Sequence, residues 1–182
     1  MLSLSTLKTN LYKVFDPASA GFVGYPTTTA LGTANFADAY AAYAQDAVDF
    51  LPPLGDPLTL ANVAEFKTKL AELSASVDLT TALTILDAAF VIYWTGATFA
   101  VLIPATGFSA ETTSIVTLAP PTIISASLGA ILSTNATSAN LTTRIDDIAT
   151  ALHTYTTVNL VVTITGVSVP PPVPLILPSK VF

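Results

Sequence analysis

The stretch from Asp78 to Ile103, DLTTALTILDAAFVIYWTGATFAVLI, limits what this chain can become more than any other. On a helix, Leu79, Leu83, Leu86, Phe90, Tyr93 and Ala97 recur at three- and four-residue steps and merge into one apolar stripe. Thr80, Thr84, Asp87, Val91 and Thr95 line a second, mildly polar one. Asp78 is a good N-cap, because its carboxylate can accept from the free N–H groups of the first turn, and Pro104 cannot continue a helix. Asp87 is the one charge between Leu79 and Ala110. A helix with so little face for water is expected at the centre of a bundle, nearly surrounded.

The uncharged run from Ala88 to Ala110 also raises a membrane span. Its helical part stops at Pro104, leaving roughly 16 residues and ~24 Å of rise against a hydrocarbon core of ~30 Å. Asp87 and Glu111 flank it, where a span would carry Lys or Arg. No membrane span is expected. The N-terminus lacks the basic start and apolar core of a secretory signal.

Charge is scarce throughout. Six Lys and Arg and twelve Asp and Glu make 10% of 182 residues, and between Ala88 and Ser179 only Glu111, Arg144, Asp146 and Asp147 are charged. An ordinary soluble chain has about 25%. A folded monomer of this mass exposes roughly 8,300 Å². A globule so thinly charged is expected to be sticky, and much of its surface is expected to face other subunits. The net charge of −6, without a basic run, argues against a grip on nucleic acid. The absence of Cys excludes disulfides and thiolate sites.

The chain reads as three parts: an N-terminal arm or loop over 1–34, a helical domain with a terminal strand over 35–165, and an extended Pro-rich docking tail over 166–182. A short helix or arm is expected over Ser5 to Phe15. Asn35 and Asp38 suggest a cap for a helix carrying Phe36, Tyr40, Tyr43, Ala47 and Phe50, ended by Pro52 and Pro53. Thr59 can cap the next, with Val63, Phe66, Leu70 and Leu73 inward and a Glu65–Lys69 pair outside. Ser114 to Leu118 could form a short strand, and Pro121 suits the first turn of a following helix. Leu141, Ile145, Ile148, Leu152 and Tyr155 repeat at 4-3-4-3 spacing, which suits packing on the central helix. At Val158 the period changes to two, predicting a strand to Thr165. Pro170, Pro171, Pro172 and Pro174 then predict polyproline II. This fold class is mainly α: four to five helices around a central buried helix, with a C-terminal β-strand and a Pro-rich tail.

No chemistry converges. His153 is the one histidine, and Asp146 lies two helical turns away, roughly 10 Å. That separation favours a half-exposed surface histidine over a metal ligand or base. There is no G-x-S-x-G, phosphate loop, zinc spacing or dinucleotide fingerprint. Trp94 and Tyr93 could stack on a base or sugar, but mid-helix beside Phe90 they read as core. Asn135 and Asn140 match the glycosylation pattern in a Thr-rich chain, where chance matches are common. No enzyme activity, cofactor or metal is expected.

Two segments, AAFVIYWTGATFAVLIP and RIDDIATALHTYTTVNLVVTITG, together with the Ala/Thr-rich, charge-poor texture, resemble small virion structural proteins of tailed bacteriophages. The resemblance covers about half the chain and carries no functional residue across. It implies a neck, tail or baseplate subunit repeated around a symmetry axis, found in the virion and made in the host cytoplasm. Neck adaptors, helical bundles with a C-terminal arm laid on an adjacent ring, resemble this layout.

The function expected is thus a non-enzymatic structural subunit whose partners are copies of itself, in a ring, and other proteins of the particle. Its proposed subunit-contact residues are Val169, Pro170, Pro171, Pro172, Val173, Pro174, Leu175, Ile176, Leu177, Val181 and Phe182. Both termini are expected to lie on neighbours, and deleting Val169 to Phe182 is expected to leave the monomer folded. The alternative is a soluble helical module that binds a peptide or lipid in an apolar groove.

Overall fold

Two aromatic-rich helices meet first: α2 (Thr29–Ala44) brings Phe36, Tyr40 and Tyr43, and α4 (Leu79–Trp94) brings Phe90, Tyr93 and Trp94. Around them a computed structural model, describing residues 1–49, 55–73, 77–101, 108–118, 123–133, 140–168 and 172–182, adds four more helices and a sheet. The helices are α1 (Leu4–Phe15), α3 (Val63–Leu70), α5 (Ile123–Ser133) and α6 (Leu141–Thr154), the last running into a π-helical turn, Tyr155–Asn159. The strands are β1 (Leu58–Leu60), β2 (Thr98–Phe99), β3 (Phe108–Leu118), β4 (Leu160–Ser168) and β5 (Pro174–Lys180). They form one antiparallel sheet in sequential order.

The mainly-α expectation is therefore wrong: the fold is mixed, six helices against a five-stranded sheet among the described residues. Two strands are too short to show a period. A third, β3, sits in the Thr-rich connector where only its last residues read as a strand. The fourth and fifth differ from expectation in ways that physics explains. The predicted strand from Val158 begins at Leu160, because Val158 and Asn159 close the π turn. The polyproline tail is β5, hydrogen-bonded to β4.

Proline is compatible with that strand because of its register. The Ser168 N–H donates to the Val173 carbonyl at 3.0 Å, making those two a bonded pair. Counting outward, Val167↔Pro174 and Thr163↔Pro178 fall at non-bonded positions, where N–H groups point away from the partner strand. The missing donors of Pro174 and Pro178 thus lie on the open edge, which blunts it against a further strand.

α4 is shorter than its apolar run. It begins as expected, with Asp78 accepting from the Thr81 N–H at 3.0 Å. It ends at Trp94 instead of near Ile103, where Gly96 turns at φ 70°. Glycine enters this left-handed region without cost, so the chain reverses into β2. Asn62 seals the end, its amide donating to the carbonyls of Ile92 (3.0 Å) and Thr95 (2.8 Å). Thr59, the expected cap, lies in β1. The first turns of α4 are exposed and its second half is buried, so the helix is central over half its length. Asp87, its one charge, accepts from the Ser125 N–H at 2.8 Å and so caps α5.

Other boundaries move similarly. α2 starts at Thr29 with Thr28 as N-cap, not at Asn35. Lys69 pairs with Glu72 at 2.6 Å rather than with Glu65. α6 lies chiefly against α1 and α5, not against α4, although the ring of Tyr155 touches Phe90 at 5.9 Å. The expected features at Phe50, Pro52, Pro53 and Pro121 lie outside the described residues.

At the centre Tyr40 is fully buried, its ring 4.8 Å from Phe90, 5.3 Å from Tyr93 and 5.9 Å from Phe66, mostly edge-on. Its hydroxyl accepts from Trp94 Nε1–H at 2.9 Å and lies 2.7 Å from Thr156 Oγ1. Thr156 spends its own proton on the Leu152 carbonyl at 2.9 Å, so Tyr40 must donate to Thr156. Each hydroxyl and the indole N–H in this chain donates, and none is orphaned.

Both ends fold onto the same body. Leu2 is buried, and Ser3 caps α1 by accepting from the Thr6 N–H. Val48 and Phe182 exchange two backbone hydrogen bonds of 3.0 Å, and Val181 is wholly buried. The termini therefore give no argument for a neighbour, and the truncation expectation reverses. Removing the residues after 168 would bare β4 and empty the Val181 site, so that chain should fail to fold.

Tyr40→Phe should destabilise the protein by about 1–3 kcal/mol in urea unfolding, because it strands the buried indole N–H of Trp94. A loss under ~0.5 kcal/mol would show that the hydroxyl is not needed.

Candidate functional site: an apolar cleft and an uncharged sheet face

His153 and Asp146, the pair weighed for catalysis, are used separately. Asp146 is held by Lys8 and by the Tyr12 hydroxyl, each at 3.1 Å. His153 Nδ1 lies 2.6 Å from the Tyr43 hydroxyl. Burial pushes the imidazole pKa down, so the ring stays neutral and Nδ1 accepts from Tyr43. Trp94 and Tyr93 are core. Among the described residues, no group of three His, Asp or Glu could hold a metal, and no helix is long and apolar enough to cross a membrane.

One carboxylate stands in an unusual place. Asp49 is 2% exposed. Its Oδ1 accepts from the Asp56 N–H at 2.8 Å, while Oδ2 and the neighbouring Ser114 Oγ complete no hydrogen bond among the described residues. Burial, reinforced by the Asp56 charge, raises the Asp49 pKa despite the opposing pull of the Asp56 N–H. Sequence reasoning missed this because it ran the second helix on through Ala47 and Phe50, whereas α2 ends at Ala44 and Asp49 lies beyond it.

The proposed contact tail divides. Val169, Pro170 and Pro171 lie outside the described residues. Leu175 and Leu177 are half-buried against the core, Val181 is inside it, and Phe182 is tied to Val48. Pro172, Val173, Pro174 and Ile176 remain exposed, Val173 at 50% and Ile176 at 67%. Alternation explains the split: Leu160, Val162 and Ile164 of β4 face the helices, and their cross-strand partners follow them.

The opposite face of the sheet is nearly free of charge. One row crosses all five strands through Leu60, Thr98, Ile115, Thr163 and Pro178. A parallel row joins Thr113, Thr165 and Ile176, and Lys180 stands at one corner opposite Val161. Over the whole chain the surface is 8907 Å², about 500 Å² for each charged residue.

A cleft of about 490 Å³ opens on the helical side. Val14 and Phe15 from the end of α1, and Phe22, Tyr25 and Pro26 from the loop after it, form one wall. Phe36 of α2, Leu86 of α4, Leu128 and Leu132 of α5 and Ile148 of α6 form the others. The loop can fold over because Gly21 and Gly24 sit at φ 83° and 89°. Val23 N–H then reaches the Lys13 carbonyl at 2.9 Å, and Phe22 and Tyr25 meet edge-on at 5.3 Å. Gly32 admits Pro26: a Cβ there would come within 3.3 Å of the proline ring. Among the described residues, no Asp, Glu, Lys, Arg or His lines the cleft. Its volume lies in the ~300–1,000 Å³ range of sites that take a ligand. In sequence its walls are scattered over five elements, and the loop reads only as Gly/Pro punctuation.

Comparison of the chain with known protein families, with curated proteins and with solved structures finds no match.

The raised Asp49 pKa makes folding favour the protonated acid. Its contribution is full below the ordinary carboxylate pKa and is lost as pH rises through the higher folded value. Asp49→Asn should remove this loss, so that urea midpoints measured across the acid-to-neutral range fall less steeply for the variant. Parallel curves for the two proteins would contradict the assignment.

Proposed function

We propose that this chain is a non-enzymatic structural subunit that assembles with copies of itself, as a neck, tail or baseplate component of a tailed-phage particle. The observation that carries the reading is the surface: about 500 Å² per charged residue, with the described outer face of the sheet built from Thr, Val, Ile, Leu and Pro apart from Lys180 at its corner. The textural resemblance to small virion proteins supplies the setting. Assembly would proceed by apolar burial at about 25 cal/mol per Å². It requires no gripped nucleic acid, which a net charge of −6 disfavours.

A second reading, a module holding an apolar peptide or lipid, is favoured by the cleft. The two part on the oligomeric state of the pure protein. Sedimentation velocity at micromolar concentration should show a discrete oligomer, and raising the salt to about 1 M should leave it intact, because ionic contacts would be screened within ~3 Å. A monomer at every concentration would reject the structural reading and leave the module.

A further inference from the structure

We propose that Asp49 is a proton-operated latch: while its carboxyl group carries a proton, residues 47–49 tie the two margins of the sheet together, and when the proton leaves, this tie opens locally. The proposal stands apart from the assembly reading and rests on two observations. The first is where the segment lies. On one side Val48 exchanges two backbone hydrogen bonds with Phe182, just past β5. On the other side Val48 bridges Pro57, the Asp49 N–H donates to the Asp56 carbonyl at 3.2 Å, and the Leu58 N–H donates to the Ala47 carbonyl at 2.9 Å. β1 and β5 are the outermost strands of the sheet. Residues 47–49 therefore close it into a ring, and these four bonds carry the closure.

The second observation is the charge enclosed beside that closure. Asp49 and Asp56 are each 2% exposed and Ser114 is 1% exposed. Asp56 is the charged group that faces Asp49, and no cation of the chain compensates the two. Lys8 is held by Asp146, Lys67 by Asp38 and Lys69 by Glu72. Arg144 donates to the Leu132 carbonyl, Lys180 donates to the Val158 carbonyl, and Lys13 lies along Gly21. His153 is taken by Tyr43. These are all the basic side chains the sequence has. Two adjacent carboxylates withdrawn from water need a counter-charge, or one of them takes up a proton. A calcium ion would take roughly 6–8 oxygens, more than Asp49, Asp56 and Ser114 bring. A proton on Asp49 Oδ2 needs one acceptor, and the otherwise unpartnered Ser114 Oγ neighbours it. Oδ1 meanwhile keeps the Asp56 N–H. Once the proton passes to solvent, the charge left on Asp49 is relieved by exposing the segment to water. Burial raises the Asp49 pKa, so the latch is shut below the ordinary carboxylate range and loosens as pH rises from there to the folded value.

The test is amide hydrogen exchange of the full chain, read by NMR across the acid-to-neutral range and corrected for intrinsic rates. Protection at Val48, Asp49, Leu58 and Phe182 should fall as pH rises, by up to about tenfold per pH unit before levelling off. Protection at Phe90 and Leu152, inside the helices, should hold. Asp49→Asn keeps Oδ1 and sets an uncharged donor toward Ser114, so its four latch amides should stay protected throughout. Asp56→Asn removes the facing charge and should lessen the fall; it serves alone if Asp49→Asn does not fold. Protection independent of pH in the wild type, a fall shared equally by the helices, or a fall undiminished in these variants would overturn the latch. So would millimolar Ca²⁺ restoring protection at neutral pH, which would make this a metal site.

Discussion

One buried hydroxyl, that of Tyr40, ties together three parts of the chain that are far apart in sequence. It receives the Trp94 indole proton from the end of α4 and passes its own to Thr156 at the start of the π turn, between which lie two helices and two strands. Around it the rings of Phe90 and Tyr93 pack edge-on and that of Phe66 at a tilt, so apolar burial and polar satisfaction act at one point. Fixing Thr156 fixes where α6 ends, and hence where β4 starts and in what phase. That phase puts Leu160, Val162 and Ile164 against the helices and leaves Val161, Thr163 and Thr165 on the other face. The charge-poor outer face of the sheet follows from an interior contact.

The sequence revealed this core better than the architecture around it. Phe36, Tyr40 and Tyr43, and Phe90, Tyr93 and Trp94, stand at helical spacing and are where the periodicity put them. Helix ends were harder, because they depend on partners distant in sequence. Nothing before Gly96 announces that Asn62 will close α4, and nothing in α4 announces that Asp87 will open α5. The sheet was hidden for two reasons. Strands of two or three residues have no period to detect, and prolines in β5 argue against a strand until one knows that they sit on its open edge.

The sites were legible in proportion to their locality. The tail was recognisable as apolar and stiff, yet its alternation, which sends Leu175 and Leu177 inward and Ile176 outward, appears only once β4 is its partner. The cleft was not visible at all, since α1, the loop after it, α2, α4, α5 and α6 each contribute only part of its wall. Charge scarcity, by contrast, is a property of composition that the fold cannot hide. The core consumes the aromatic and aliphatic residues, and Thr, Val and Pro are what remain to face outward.

A single tryptophan makes the central contact directly observable, because its indole N–H gives one resonance. Hydrogen exchange at Trp94 Nε1, followed by NMR under native conditions, should be as slow as the slowest backbone amides and should track global unfolding. Exchange within seconds while the backbone of α4 stays protected would show that the Tyr40 hydroxyl does not hold that proton.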